Sequence, residues 1–161
     1  MKESRKFAAH TDVSTEKSRL DLQRLLDRYE CASQAMLKHG SQIALIFEAH
    51  GRRVRFMMNE ATSADLPKQP SRGRRINQRA WIEQETRRRW RLLLMSIQVR
   101  LELVANGADF ETEFAGYLVT PSGQTVAEIL KPQLEEMYTH GRMPSLLALA
   151  GPRYTQEPSN E

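Results

Sequence analysis

The hydrophobic positions fall into blocks of different period. Leu22, Leu25, Leu26 and Tyr29 recur at the spacing of one helix face, with Arg19, Arg24 and Arg28 on the opposite side among Asp21 and Asp27. Ser14 suits the N-cap and Glu16 the first turn, so the pattern predicts a helix over about 15–30, entered from Val13. The period then shortens. Gln42 to Ala49 is a short run rich in strand formers, and His50-Gly51 supplies a tight turn. After it, Val54, Phe56 and Met58 alternate with Arg53 and Arg55, as in a half-buried strand. Ser33–Leu37, before the turn signal His39-Gly40, is a weaker strand candidate. Together these predict a three-stranded antiparallel meander.

Residues 59–76 carry Pro67, Pro70, Ser71 and Gly73 among charges, and are expected to be an exposed linker. Helical spacing returns with Trp90, Leu93, Leu94, Ile97, Leu101 and Val104, and Trp81 lies near that stripe. Asn77 as cap and Gly107 as stop predict a long helix over about 78–106. Its apolar second half should pack on the sheet while the charged first half projects. Asp109 heads a short helix with Phe110, Phe114 and Leu118; Pro121-Ser122-Gly123 makes a turn. Thr125 caps a last helix whose apolar positions are Val126, Ile129, Leu130, Leu134, Met137 and Tyr138; Pro132 should kink or divide it, and Gly141 ends it. The expected architecture is α+β: an N-terminal helix, a small antiparallel meander, a long central helix and C-terminal helices. One domain over 14–147 is expected, with loose tails at 1–13 and 148–161.

The 161-residue length suits one domain able to bury its own core. A single cysteine, Cys31, leaves no internal disulfide to form, which fits a reducing cytosol. Met1 to His10 is too short in apolar residues for a signal peptide, and the longest apolar runs, Ile43–Phe47 and Leu92–Met95, are too short to span a membrane. Charge changes the picture more. The net charge of +4 hides an asymmetry: residues 1–101 hold 21 Lys and Arg against 11 Asp and Glu, and residues 102–161 hold 3 against 9. Such polarity fits a polyanionic partner, an acidic protein surface, or pairing of the two regions within or between chains.

Four segments, in order, carry a resemblance: Val13-Ser14-Thr15-Glu16-Lys17-Ser18-Arg19; Gly51-Arg52-Arg53-Val54-Arg55-Phe56; Arg89-Trp90-Arg91; and Pro121 to Val126 followed by Gly141-Arg142-Met143-Pro144. The chain resembles in these a family of small phage and prophage proteins, over about residues 13–147. It departs from that pattern in the first strand, where Ala35-Met36-Leu37-Lys38 replaces an aromatic, glycine-rich stretch, and in the linker. The resemblance implies a mobile-element origin and a host cytosol; it implies no activity and no catalytic residue.

Known catalytic patterns do not occur. His10, His39, His50 and His140 are scattered beside turns, and none pairs at metal-ligand spacing. Cys31 has no neighbouring base and reads as a small buried hydrophobe. There is no nucleophile elbow and no phosphate loop, since Arg72-Gly73-Arg74 lacks the second glycine and the Lys-Ser/Thr pair. Glu111/Glu113 and Glu135/Glu136 read as solvated helix faces. Neither metal nor cofactor is expected.

The arginines are the informative feature. Arg72, Arg74, Arg75 and Arg79 lead into Arg87, Arg88, Arg89 and Arg91, with only Glu83 and Glu85 among them. Guanidinium groups fork onto phosphate oxygens and stack on bases. The candidate nucleic-acid contacts are therefore Arg53, Arg55, Arg72, Arg74, Arg75, Arg79, Arg87, Arg88 and Arg91. Residues 87–89 fan around a helix, so they cannot all meet one groove. The expected function is non-enzymatic nucleic-acid binding through phosphates. A protein-interaction module aimed at a host or phage factor, or salt-dependent self-association, is the alternative.

Overall fold

The computed structural model describes residues 7–9, 11–67 and 77–141. The expected α+β order is what is observed. Helix α1 (Thr15–Arg28) leads into strands β1 (Ala32–His39), β2 (Gln42–Ala49) and β3 (Arg52–Asn59), then the long helix α2 (Gln78–Ala105), the short α3 (Phe110–Phe114) and α4 (Val126–His140). Arg72, Arg74 and Arg75, His10 and both chain ends lie outside the described residues.

The helix caps follow the sequence. Ser14 accepts from the Lys17 amide, Asn77 from Ala80, Asp109 from Thr112 and Thr125 from Glu128. Each side-chain oxygen satisfies an amide that the first turn leaves without a partner. The sheet is antiparallel in the order β1-β2-β3. The β2–β3 turn places His50 and Gly51 both at positive φ, 52° and 71°, the geometry that matches the twist of a two-residue hairpin. Leu45 pairs with Met36 and Phe56, and Ile46 with Ala35 and Arg55. Cross-strand partners share a face, so this register buries Ile43, Leu45, Phe47, Val54 and Phe56 together and turns Arg53 and Arg55 outward. The weak first strand is longer than the sequence suggested, because a bulge at Ser33 (φ 49°) lets Ala32 rejoin β2.

One core joins the buried sheet face to Leu22, Leu25 and Leu26 of α1, Trp90, Leu94 and Ile97 of α2, and Phe110 and Phe114 of α3. Phe114 meets Phe47 and Phe56 edge-on, and Tyr117 stacks on Phe56 at 4.0 Å between ring centroids. Beyond α3 the chain returns to β3: Leu118 bridges Val54, and the Val119 amide donates to the Arg53 carbonyl at 2.8 Å. This covers one sheet edge.

Three expectations change. The segment after β3 is held down rather than exposed through its first residues: Ala61 is buried, its amide donates to Thr86 Oγ1, and Glu60 accepts the Trp90 indole N–H. The first half of α2 does not simply project, since Gln84 Nε2 donates to the carbonyls of Ala9 and Thr11. That bond also ties down part of the expected N-terminal tail. Pro132 does not divide α4; its missing N–H frees the Glu128 carbonyl at an exposed position, where water can serve it. The apolar positions of α4 are nevertheless not a core face. None is buried, and Leu134 and Tyr138 are exposed.

Helices α1 and α2 run side by side in the same direction. Ser14 and Thr15 lie by Ile82–Thr86, Arg24 and Leu25 by Arg91 and Leu94, and Arg28 by Glu102. Ser18 of α1 is 0% exposed, and its hydroxyl has no hydrogen-bond partner among the described residues. An unpaired buried hydroxyl costs ~1–3 kcal/mol. Ser18→Ala should therefore leave stability unchanged or raise it by about 1 kcal/mol in urea unfolding, whereas Ser18→Leu should lower it by about 1–3 kcal/mol through overpacking. A clear loss in the alanine variant would show that the hydroxyl is satisfied.

Candidate nucleic-acid interface

The arginines do not form one basic face. On the sheet, the Arg53 guanidinium donates to Glu48 Oε1 at 2.6 and 3.0 Å, and Ser33 donates to the other oxygen of the same carboxylate. Those hydrogen bonds hold the Glu48 carboxyl below its usual range. Arg55 reaches the Gly123 carbonyl at 3.0 Å and Glu128 at 2.6 Å. Glu128 is also the reciprocal member of the α4 capping box, so Arg55 clasps the start of α4. Cross-strand and capping carboxylates thus partner both strand arginines, with the Arg53 side chain 59% exposed and that of Arg55 23%.

On α2, Arg88 makes a forked pair with Glu85 at 2.6 and 2.8 Å, and both side chains are largely buried. Arg89 joins Glu85, Asp65 and the Asn59 carbonyl. Arg89 pins the post-β3 segment onto the helix, while the Arg88–Glu85 pair lies within α2. Arg79 pairs with Glu83 at 3.1 Å, with its side chain 90% exposed, and Arg87 approaches the same carboxylate only to 3.9 Å. Exposed pairs of this kind contribute ~0–1 kcal/mol, so both cations remain open to exchange.

Arg91 differs. It has no carboxylate partner among the described residues, and it faces Arg24 and Arg28 across a cleft of about 300 Å³ between α1 and α2. Leu25, Leu94 and Gln98 form the floor, and Asp21 is the only acid in the lining. Asp21 lies 4.0 Å from Arg24, and Arg28 leans outward to Glu102 at 3.4 Å. The next concavity along the helix pair contains Arg87. Of the nine arginines nominated from the sequence, the structure places Arg91 in this cleft and Arg87 in a separate concavity along the same helix pair, with Glu16 and Glu83 beside it. It leaves Arg79 at the head of α2 and puts Arg53, Arg55 and Arg88 into internal pairs. It adds Arg24 and Arg28, whose polar-face spacing on α1 was visible but whose meeting with α2 was not.

Other chemistry is sparse among the described residues. No cluster of His, Cys, Asp or Glu could hold a metal ion, and no helix is long and apolar enough to cross a membrane. Burial, then the Asp27 charge, push the Cys31 thiol up to about 11, which leaves it unreactive near neutral pH. His50 stacks on Phe110 at 4.7 Å. No protein-family model, curated protein or solved structure matches this chain.

Glu60 fixes the groove from behind. Burial works to raise its pKa, but hydrogen bonds from Lys38 and the Trp90 indole prevail and hold the carboxyl below its usual value. A carboxylate depressed in the folded state stabilises the fold above its unfolded pKa and loses that contribution as pH falls through the folded value. Glu60→Gln should therefore destabilise the protein near neutral pH in urea titrations. The gap from wild type should close as pH falls below the ordinary glutamate range; a gap independent of pH would contradict the assignment.

Proposed function

We propose that this chain is a non-catalytic phage or prophage accessory protein that binds nucleic acid in the host cytosol. Contacts would run mainly to phosphates, along the α1–α2 groove. The observation that supports this reading is the convergence of Arg24, Arg28 and Arg91 on one cleft whose lining holds a single carboxylate, Asp21, 4.0 Å from Arg24. Clustered like charges repel one another, and an anion seated among them relieves that repulsion. Guanidinium groups fit phosphate oxygens in a forked geometry. Arg87 and Arg79 extend the basic track towards the head of α2, where the chain arrives through Arg72, Arg74 and Arg75. The phage resemblance supports the cytosolic setting.

A second reading has its own support. The apolar positions of α4 are not buried in the chain itself, and Tyr138 is 89% exposed. A host or phage protein could use that face. Recovery of a partner from nuclease-treated host lysate, lost on Leu134→Glu with Tyr138→Glu, would favour it.

Fluorescence anisotropy with labelled single- and double-stranded DNA and RNA tests the first reading. If Arg24, Arg28, Arg87 and Arg91 each meet a phosphate of a duplex, log K should fall against log salt with a slope of about −3.6. Arg24→Ala with Arg28→Ala should flatten that slope by about 2, while Arg53→Ala should leave it unchanged. Affinity constant across the salt series, or a double variant that binds like wild type, would sink the reading.

A further inference from the structure

The second half of α2 is apolar on two opposite sides. Trp90, Leu94, Ile97 and Leu101 face the core. At 100° per residue, Val99 stands about 180° round the helix from Trp90, with Met95 and Leu103 within about 40° of it. Val99 is 55% exposed and Leu103 45%, and with Met95 they line a shallow depression of about 370 Å³ on the back of the helix. A helix apolar all round is a helix covered on both sides. Among the described residues nothing covers the back of α2 at Val99 and Leu103.

The charges beside this stripe say what fits it. Arg91 and Glu102 both lie on its α1 side, about 100° and 120° from Trp90, one at each end. Arg91 has no carboxylate partner among the described residues, and Glu102 is half-exposed, with Arg28 at 3.4 Å and a hydrogen bond from Tyr29 on its α1 side. A parallel two-fold copy would set each flank of the stripe against the partner's opposite flank, so Arg91 and Glu102 would not meet. An antiparallel copy related by a two-fold axis sets residues on the same side of the seam opposite each other in reverse order. Arg91 then meets the partner's Glu102, and the reciprocal pair forms at the other end. The midpoint of that pairing falls between Met95 and Val99, within the apolar stripe.

We infer that the chain forms a two-fold dimer through antiparallel packing of α2 on α2 of a second copy, with Met95, Val99 and Leu103 as the seam and Arg91–Glu102 pairs on its flank. A self-complementary patch is what an isologous interface requires. The two-fold also brings both α1–α2 clefts to one face of the dimer, with the two Arg87 positions about 30 Å apart along the helix axis. That last consequence, unlike the dimer itself, rests on the nucleic-acid reading.

Light scattering after size exclusion, on nuclease-treated full-length protein, tests the dimer without any ligand. Wild type should show twice the chain mass of 18.6 kDa in the micromolar range. Val99→Glu should run as a single chain with an unchanged far-ultraviolet circular dichroism spectrum; Leu103→Glu reads the same surface if the first variant misfolds. Glu102→Arg should raise the dimer Kd about five-fold, since exposed pairs contribute ~0.5 kcal/mol each. Adding Arg91→Glu to it should restore the Kd. A wild-type mass of one chain throughout that range overturns the proposal, as does a dimer that survives both seam variants. An unchanged Kd in Glu102→Arg overturns the antiparallel register.

Discussion

The anchoring of Trp90 sets the rotation of α2, and that rotation decides what every other residue on the helix can do. The indole is 1% exposed, and its N–H is directed at Glu60, which Lys38 holds in turn. A buried indole donor without an acceptor would be costly, so the ring cannot turn far without losing both its packing and its hydrogen bond. With Trp90 pointing inward, Arg91 is carried towards α1, Arg88 and Arg89 towards the acids of the post-β3 segment and the helix itself, and Val99 to the outside. Arg19 lies over the same indole at 5.2 Å from the ring centroid, so α1 is indexed to α2 at this point.

Given that phase, the fate of each arginine is a matter of local carboxylate supply. Where folding brings an acid within hydrogen-bond reach, as at Arg53, Arg55 and Arg89, the cation becomes a strut between elements, and Arg88 closes a pair within α2. Arg55 ties β3 to the start of α4, and Arg89 ties α2 to the turn at Ser63–Asp65. Removing one member of the largely buried Arg88–Glu85 pair would leave a charge without its partner, so these positions are held by the fold before any ligand arrives. Along the α1–α2 groove, Arg24, Arg28 and Arg87 have looser partners at 3.4 to 4.0 Å and Arg91 has none among the described residues, so these cations exchange more readily. The net charge of the first two-thirds of the chain therefore overstates the basic surface it presents.

Much of the fold was legible because its signals are local. The period of Leu22, Leu25 and Leu26, the caps Ser14, Asn77, Asp109 and Thr125, and the His50-Gly51 turn each act within a few residues, and all appear as read. The bulged start of β1 was under-read, since its pairing depends on a positive φ at Ser33 that composition does not announce. The post-β3 segment looked like a linker because its prolines and charges are visible, whereas the contacts that hold it, Ala61 to Thr86 and Arg89 to Asp65, span 24 residues or more. The candidate interface was half legible for the same reason. Runs of arginine show in a sequence; the carboxylates that neutralise them come from elsewhere. Arg55 and Glu128 are 73 residues apart, and Arg28 and Glu102 are 74.

The long helix thus has two environments that composition alone averages away. Its first half is charged and is threaded by pairs to Glu83, Glu85 and Asp65; its second half is apolar on both sides. An amphipathic helix lying on a sheet needs only one apolar face, and the core of this fold is already complete with Trp90, Leu94, Ile97 and Leu101. Val99 and Leu103 add nothing to that core, and each exposed branched side chain favours association over solubility. Residues that burden the single chain in this way, at helical spacing beside Arg91 and the half-exposed Glu102, fit the two-fold seam proposed above. The same phase of α2 that closes the core with Trp90 also turns Arg91 towards α1 and Val99 to the outside.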